Sequence, residues 1–379
     1  MSFSPHEVNF LAEHKDEISN VRLPLTNASL IADIAALRAE FGEYARAIAE
    51  LIQARRSAAN KLPQDWLMCL DSAQQATPSA VAEVRARRLQ RVLGEARALD
   101  VTCSIGTEGA ALVNAGFEYF GADIDHSRLL MARHNVPAGH YARIDALTPA
   151  LSAVDVVVAD PARRSGGRRI AHPAQLIPPL PKLLDVWCER PLAVKCAPGL
   201  DFSEWDGLVS VVSIDGGVKE ACLYSPTLSE GRRREAVVVR GDTTDVLDDT
   251  FDSDVRVAEI GEFIIDPDGA IVRAGLVKHF ARREALWMLD ERIAYLTGER
   301  IPKGYSGFRI LEQVSMKSLK QRLRQLSCGS LEILVRGVDI DPDVLRRQCK
   351  LRGDRALALV CTRVGKRGVA YICAPRERG

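Results

Sequence analysis

The sequence predicts an α/β protein: a doubly wound, mostly parallel sheet in mid-chain, preceded by a helical domain and followed by a smaller α+β domain. Three observations carry this. From about residue 98 the apolar positions stop following helical spacing and gather into short runs separated by Gly, Asp and Pro, as strands buried on both faces do. Those runs alternate with helical stretches, which makes the sheet parallel with right-handed crossovers. Three of the runs end in turns rich in acidic or small residues, Asp100–Gly109, Asp123–Asp125 and Asp160–Arg164, where open sheets of this kind hold ligands.

Residues 1–96 read as the helical domain. Leu30, Ile31, Ile34, Leu37 and Phe41 fall at helical spacing, and Ile48, Leu51 and Ile52 continue it. Thr77-Pro78-Ser79-Ala80 reads as a cap with proline at the first helical position, opening a helix through Val81, Val84 and Leu89. That helix carries a basic streak, Arg85, Arg87, Arg88 and Arg91, which is either a solvated face or a nucleic-acid contact. In residues 97–241, Ala98–Cys103, Glu118–Asp123, Val154–Ala159 and Leu192–Cys196 are the expected parallel strands, with helices at Glu108–Ala115 and Ser127–Asn135. Val209–Ile214, Glu220–Tyr224 and Glu235–Arg240 close the domain, two of them as a hairpin.

Residues 242–300 read as a linker and helix: an acidic surface segment, Asp242–Asp254, a link at Gly261–Gly275, and a helix, Leu276–Leu296, with Leu286, Leu289, Ile293 and Leu296 on one face. Residues 301–379 read as the α+β domain. Its strands are Gly307–Val314 and Leu331–Val335, its helices Lys317–Leu326 and Asp343–Leu351. Ala356–Thr362 and Val369–Ala374 form a terminal hairpin turned at Gly365–Gly368.

The 379 residues exceed what one core ordinarily fills, and 47% hydrophobic with 27% charged residues excludes a disordered chain. The net charge of +1 conceals an asymmetry: residues 301–379 hold 17 Lys+Arg against 7 Asp+Glu, which suits a polyanionic partner or a solvated basic face. Nine cysteines are scattered without a CxxC pair or Cys/His cluster, so neither a disulfide framework nor a metal site is expected. Residues 1–20 lack a signal-peptide core, and no apolar run approaches the ~20 residues that cross a bilayer. The expectation is a cytoplasmic protein with no membrane partner.

The turn after Asp100 bears on the ligand. A pyrophosphate wants G-x-G-x-x-G, whereas here Cys103 and Ser104 stand where early glycines would sit and only Gly106 and Gly109 remain. Asp100 disfavours phosphate and welcomes an ammonium. S-adenosyl-L-methionine has no phosphate and carries an α-ammonium. Asp123 can then accept both ribose hydroxyls, Asp125 is free to cap the next helix, Asp145 can accept from the adenine amino group, and Asp160-Pro161 lies beside the sulfonium. The expected cofactor contacts are Asp100, Cys103, Ser104, Ile105, Gly106 and Glu108 from the first turn, Asp123 and Ile124 from the second, Asp145 and Ala146 from the third, and Asp160 and Pro161 from the fourth.

This ordered set resembles the class I S-adenosylmethionine-dependent methyltransferases over Ala98–Arg240, with their Rossmann-like sheet. Further segments are similar to a bacterial group in which that core is followed by a THUMP-like domain. They are Asp160-Pro161-Ala162-Arg163-Arg164, Ser213–Ala221, Arg273–Leu276, Ile293–Gly298 and Glu332–Pro342. THUMP domains bind RNA, so the resemblance implies a methyltransferase acting on a base in structured RNA, tRNA or rRNA. The alternatives are a protein or small anionic metabolite as substrate, and a non-catalytic RNA-binding protein with a degenerate cofactor fold.

Asp160 is the candidate proton acceptor at the methyl acceptor. Arg163 stands where amino-group methyltransferases carry an aromatic residue, and Asp-Pro-x-Arg is similar to the pyrimidine C5 methyltransferases, which use a cysteine nucleophile. Cys196, after the fifth strand and next to Lys195, is the candidate for that role or else a small buried hydrophobe. Arg164, Arg168 and Arg169, with Arg163, form a basic loop suited to phosphates of an RNA backbone, or to the acidic Asp242–Asp254 segment.

Overall fold

The structure, a computed structural model, describes residues 3–149, 151, 153–162, 164–165, 168–169 and 172–379. They form two compact units, residues 1–209 with 220–231 and residues 210–219 with 232–379.

The first unit opens with helices α1 (Pro5–Glu13), α2 (Lys15–Ser19), α3 (Leu30–Phe41), α4 (Ala45–Ser57), α5 (Leu70–Gln75) and α6 (Ser79–Leu93). A capping box starts α1: the Ser4 hydroxyl accepts from Glu7 N–H, and the Glu7 carboxylate accepts from Ser4 N–H at 2.8 Å. Leu37, Ile48, Leu51, Leu67 and Met68 fill the helical core, which continues into Ile105, Met131 and Val136 beside the first ligand turn. Ile31, read as part of the apolar stripe, is 89% exposed and packs outside it.

Strands β1 (Arg97–Asp100), β2 (Glu118–Asp123), β3 (His140–Arg143) and β4 (Val156–Ala159) follow, with α7 (Thr107–Asn114) and α8 (His126–Asn135) between them. After β4 come two short strands, β5 (Arg164–Ser165) and β6 (Arg168–Arg169), then α9 (Leu180–Val186) and β7 (Leu192–Cys196). Leu99 pairs in parallel with Phe120 on one side and Val157 on the other, and Val157 pairs with Leu192, so β1 and β4 are central. The chain reverses at the doubly wound switch between β1 and β4, where a ligand crevice opens at the carboxyl ends. Strand β8 (Leu208–Ile214) and strand β9 (Gly217–Tyr224) carry the chain into the second unit and back. Within the first unit β9 runs antiparallel to β7, with Ala193 opposite Tyr224.

Gly109 in α7 sits against Tyr119 of β2: a Cβ there would lie 2.5 Å from the ring. Tyr119 in turn donates from its hydroxyl to Asp100 Oδ2 at 3.3 Å. We expect Gly109→Ala to displace Tyr119 and cost about 1–3 kcal/mol, the usual range for overpacking, in urea unfolding.

In the second unit β10 (Arg234–Arg240) pairs antiparallel with β11 (Thr243–Asp248), Val238 opposite Asp245. Then come β12 (Phe263–Ile265), α10 (Gly269–Arg273), α11 (Val277–Arg283), β13 (Trp287–Met288) and β14 (Leu296–Gly298). This corrects the reading of 242–300. The acidic segment supplies β11, whose Asp245 binds the Arg283 guanidinium through two oxygens and accepts a hydrogen bond from the Tyr305 hydroxyl. The Gly261–Gly275 link holds a strand and a helix. The helix expected over Leu276–Leu296 ends at Arg283, because Ala285 turns the backbone to φ 57° and sends the chain into β13. Leu286, Leu289, Ile293 and Leu296 are buried as their spacing suggested, but Leu296 lies on β14 and the other three on the irregular chain flanking β13.

The C-terminal elements are β15 (Ser306–Val314), α12 (Leu319–Gln325), β16 (Cys328–Val335), α13 (Pro342–Cys349), β17 (Arg355–Val364), β18 (Arg367–Cys373) and β19 (Glu377–Arg378). One sheet runs β13-β14-β12-β15-β18-β17-β16. It is antiparallel except for β16 and β17, which pair in parallel across α13. Among the described residues no helix is long and apolar enough to cross a membrane.

Candidate active site

A cavity of about 590 Å³ lies within the first unit at the carboxyl ends of β1, β2 and β4, a size suited to a small molecule. Ser104, Asp123, Ile124, Asp145, Ala146 and Asp160, each expected from the sequence, line it, and so does Pro161. Ser104 lies at φ 49°, a left-handed conformation that explains why glycine would suit the position, and Gly106 at φ 90° starts α7. The Asp123 carboxylate fastens two turns at once: Oδ2 accepts from Ser104 N–H at 3.0 Å and Oδ1 from Asp125 N–H at 2.9 Å. Burial pushes its carboxyl above the usual range, against those two donors. Asp125 caps α8 by accepting from Arg128 N–H, as expected. Asp145 accepts from Leu147 N–H at 2.9 Å.

Other expected contacts are placed outside the cavity lining. Asp100 is buried beneath it, accepting from Thr102 N–H at 3.0 Å; burial and the neighbouring Glu108 push its carboxyl well up. It braces the turn through Thr102 N–H and the Tyr119 hydroxyl. Cys103, Ile105 and Glu108 are likewise buried, Ile105 in the helical core and Glu108 against Arg85. Burial pushes the Cys103 thiol well up. Arg163 lies outside the described residues. The backbones of Arg164 and Arg169 pair across the β5–β6 ribbon, as do those of Ser165 and Arg168.

Cys196 is 0% exposed and off the cavity lining, the placement expected of a small buried hydrophobe rather than of an accessible nucleophile. Strand alternation explains this: with Cys196 turned into the sheet packing, Lys195 faces the other way, toward the cavity. Its Nζ, with the side chain 4% exposed, donates to Asp160 Oδ2 at 2.6 Å and to Thr77 Oγ1 at 2.7 Å. Thr77 is therefore a lysine anchor; the N-cap of α6 is Pro78, with no side-chain cap bond. The basic streak of α6 divides: Arg85 and Arg88 turn inward, while Arg87 and Arg91 stay exposed. Arg85, 2% exposed, binds both Glu108 oxygens at 3.0 Å and Glu220 Oε1 at 2.5 Å, while Arg88 and Arg91 pair with Glu230.

Sequence reasoning missed three contributors. Thr102 lines the cavity, and its hydroxyl accepts from Asp160 N–H at 2.6 Å, tying the first turn to the fourth. Gln74, Gln75 and Ala76, from the helical region, form one wall. Lys195 carried a readable signal, since a lysine inside the run Leu192–Cys196 must have a buried partner. The aromatic residues near the site are structural: Trp187 Nε1 donates to Ala146 O and the Tyr141 hydroxyl to Val136 O.

The cavity suits S-adenosyl-L-methionine on its own chemistry. Among the described residues its wall presents the carboxylates of Asp123, Asp145 and Asp160 and one cation, Arg128, a balance that suits a cationic ligand better than a phosphate. Asp123 retains acceptor capacity for a diol, and Ile124, 59% exposed, offers an apolar face to a purine. Among the described residues no group of His, Cys, Asp and Glu could hold a metal ion.

A doubly wound sheet with this crevice defines a protein that binds a nucleoside cofactor. The relatives narrow the class. The chain is 46% identical over 364 residues to an uncharacterised S-adenosylmethionine-dependent methyltransferase of Mycobacterium tuberculosis, known from strains CDC 1551 / Oshkosh and ATCC 25618 / H37Rv, covering 89% of this chain and 99% of the relative. It belongs to that methyltransferase family and uses S-adenosylmethionine. Residues 305–375 match the family described as THUMP domain-like. A crystal structure of a candidate methyltransferase from Porphyromonas gingivalis W83 shares the fold, with a TM-score of 0.72, 20% identity and 99% of each chain covered.

Proposed function

We propose that the protein methylates a base in structured RNA, the C-terminal domain docking the RNA and the cavity of the first unit carrying cofactor and acceptor. The observation that carries this reading is the THUMP domain-like match at 305–375, within a region holding 17 Lys+Arg against 7 Asp+Glu. Lys320 and Arg324, one turn apart on α12, are exposed there. Counterion release makes such docking steeply salt-dependent.

S-adenosylmethionine supplies an electrophilic methyl group, and the displacement is in line, so positioning does most of the work. Asp123 holds the ribose diol and Ile124 the adenine face, with Asp145 at the amino group. Asp160, held by Lys195 on one oxygen, accepts the acceptor's proton as the methyl bond forms. Arg163 orients the acceptor, and Arg164, Arg168 and Arg169 meet the phosphates.

The test is tritiated methyl transfer to RNA from a deletion strain, followed by identification of the modified nucleoside by mass. Arg163→Ala is expected to leave cofactor binding unchanged in calorimetry and to remove transfer. Normal transfer by this variant overturns its role, and label appearing in protein or small anions instead of RNA overturns the substrate.

A further inference from the structure

Behind the methyl end of the cavity lies a run of alternating charges: Asp160, Lys195, Glu220, Arg85 and Glu108. Lys195 Nζ is 2.6 Å from Asp160 Oδ2 and 4.0 Å from Glu220 Oε2. Arg85 then joins Glu220 to Glu108. Apart from Asp160, whose side chain is 27% exposed and reaches the cavity, every member is buried. Glu220 Oε2 has no hydrogen-bond partner among the described residues, so Lys195 is committed to Asp160 and Thr77 while a second carboxylate oxygen waits beside it.

The chemistry of the reaction gives this arrangement a task. The cofactor enters as a sulfonium cation and leaves as a neutral thioether. A bare carboxylate at the methyl end would hold the cation strongly and the product weakly. That would deepen the ground state and oppose loss of the positive charge as the methyl moves. A carboxylate already neutralised by a lysine 2.6 Å away presents the proton-accepting oxygen without that pull.

We propose that Lys195 is the residue that sets how the cofactor and its demethylated product are discriminated, by compensating the charge of Asp160. Thr77, from the helical region, holds the ammonium in place for this. The inference rests on the cavity of the first unit being the cofactor site, and needs no knowledge of the acceptor.

Calorimetric titration of S-adenosylmethionine and S-adenosylhomocysteine into the full chain tests it, read as the ratio of their dissociation constants. Lys195→Met is expected to shift the ratio toward the sulfonium by about tenfold or more, with Lys195→Arg restoring it to within about twofold. Asp160→Asn shifts it the opposite way by about threefold or more, and Lys195→Gln is read in place of Lys195→Met if the thermal melt shows the latter unfolded. A ratio unchanged in both variants, or both ligands weakened equally, reduces Lys195 to a structural residue and overturns the proposal. Wild-type protein that binds neither ligand overturns the site reading itself, and is told apart because no substitution is involved.

Discussion

Asp123→Ala abolishes measurable S-adenosylmethionine binding, with loss of at least about a hundredfold in affinity by calorimetry. Two effects add. The carboxylate proposed to accept the ribose diol is gone, and charged hydrogen bonds are each worth about 1.5–3 kcal/mol. The N–H groups of Ser104 and Asp125 also lose their shared acceptor, so the first and second turns no longer hold their relative position. Two such bonds correspond to roughly 10²–10⁴ in the dissociation constant. Asp123→Asn keeps one acceptor oxygen and is expected to bind more weakly than the native protein but better than the alanine variant. Near-native affinity in Asp123→Ala would move the ribose site elsewhere in the cavity.

Arg85→Met is expected to be the most destabilising single substitution. Burial works against the Arg85 charge, yet Glu108 and Glu220 overcome it and hold the guanidinium well above its usual pKa. Removing the cation strands two buried carboxylates, a change that typically costs about 3–5 kcal/mol, against roughly 5–15 kcal/mol of total stability. The urea midpoint should fall accordingly. Combining it with Glu108→Gln and Glu220→Gln should recover much of the loss, because the neutral amides no longer need a cation. If the single variant unfolds at the native midpoint, the buried triad contributes little.

The parallel core was legible because its signal is local. Apolar runs ending in Asp100, Asp123 and Asp160 announce both the strands and the crevice, and all six residues expected at the second, third and fourth turns line one cavity. What escaped depends on partners far away in sequence. Arg85 and Arg88 read as part of a wet face, which Arg87 and Arg91 do form, because helical spacing cannot reveal Glu108, Glu220 and Glu230. Thr77 read as a cap because Thr-Pro-Ser is cap chemistry, while Lys195, 118 residues later, claims its hydroxyl. Leu276–Leu296 kept a helical period through buried positions that strands and turns satisfied equally well. The break at Ala285 is a left-handed residue that is not glycine, so composition gave no sign of it.

The tie between Arg85 and Glu220 has a consequence for biosynthesis. The two residues are 135 positions apart. At about 5–20 residues per second, α6 leaves the ribosome roughly 7–27 seconds before its second carboxylate is made. During that interval a guanidinium destined for the interior has to remain hydrated or half-paired, and α6, whose Ala82, Ala86 and Leu89 pack with Cys222 and Tyr224, cannot settle into its final packing. Helix α6 is thus made early and is among the last elements to be finished. A nascent chain stalled before residue 220 should leave Arg85 open to water and α6 open to protease.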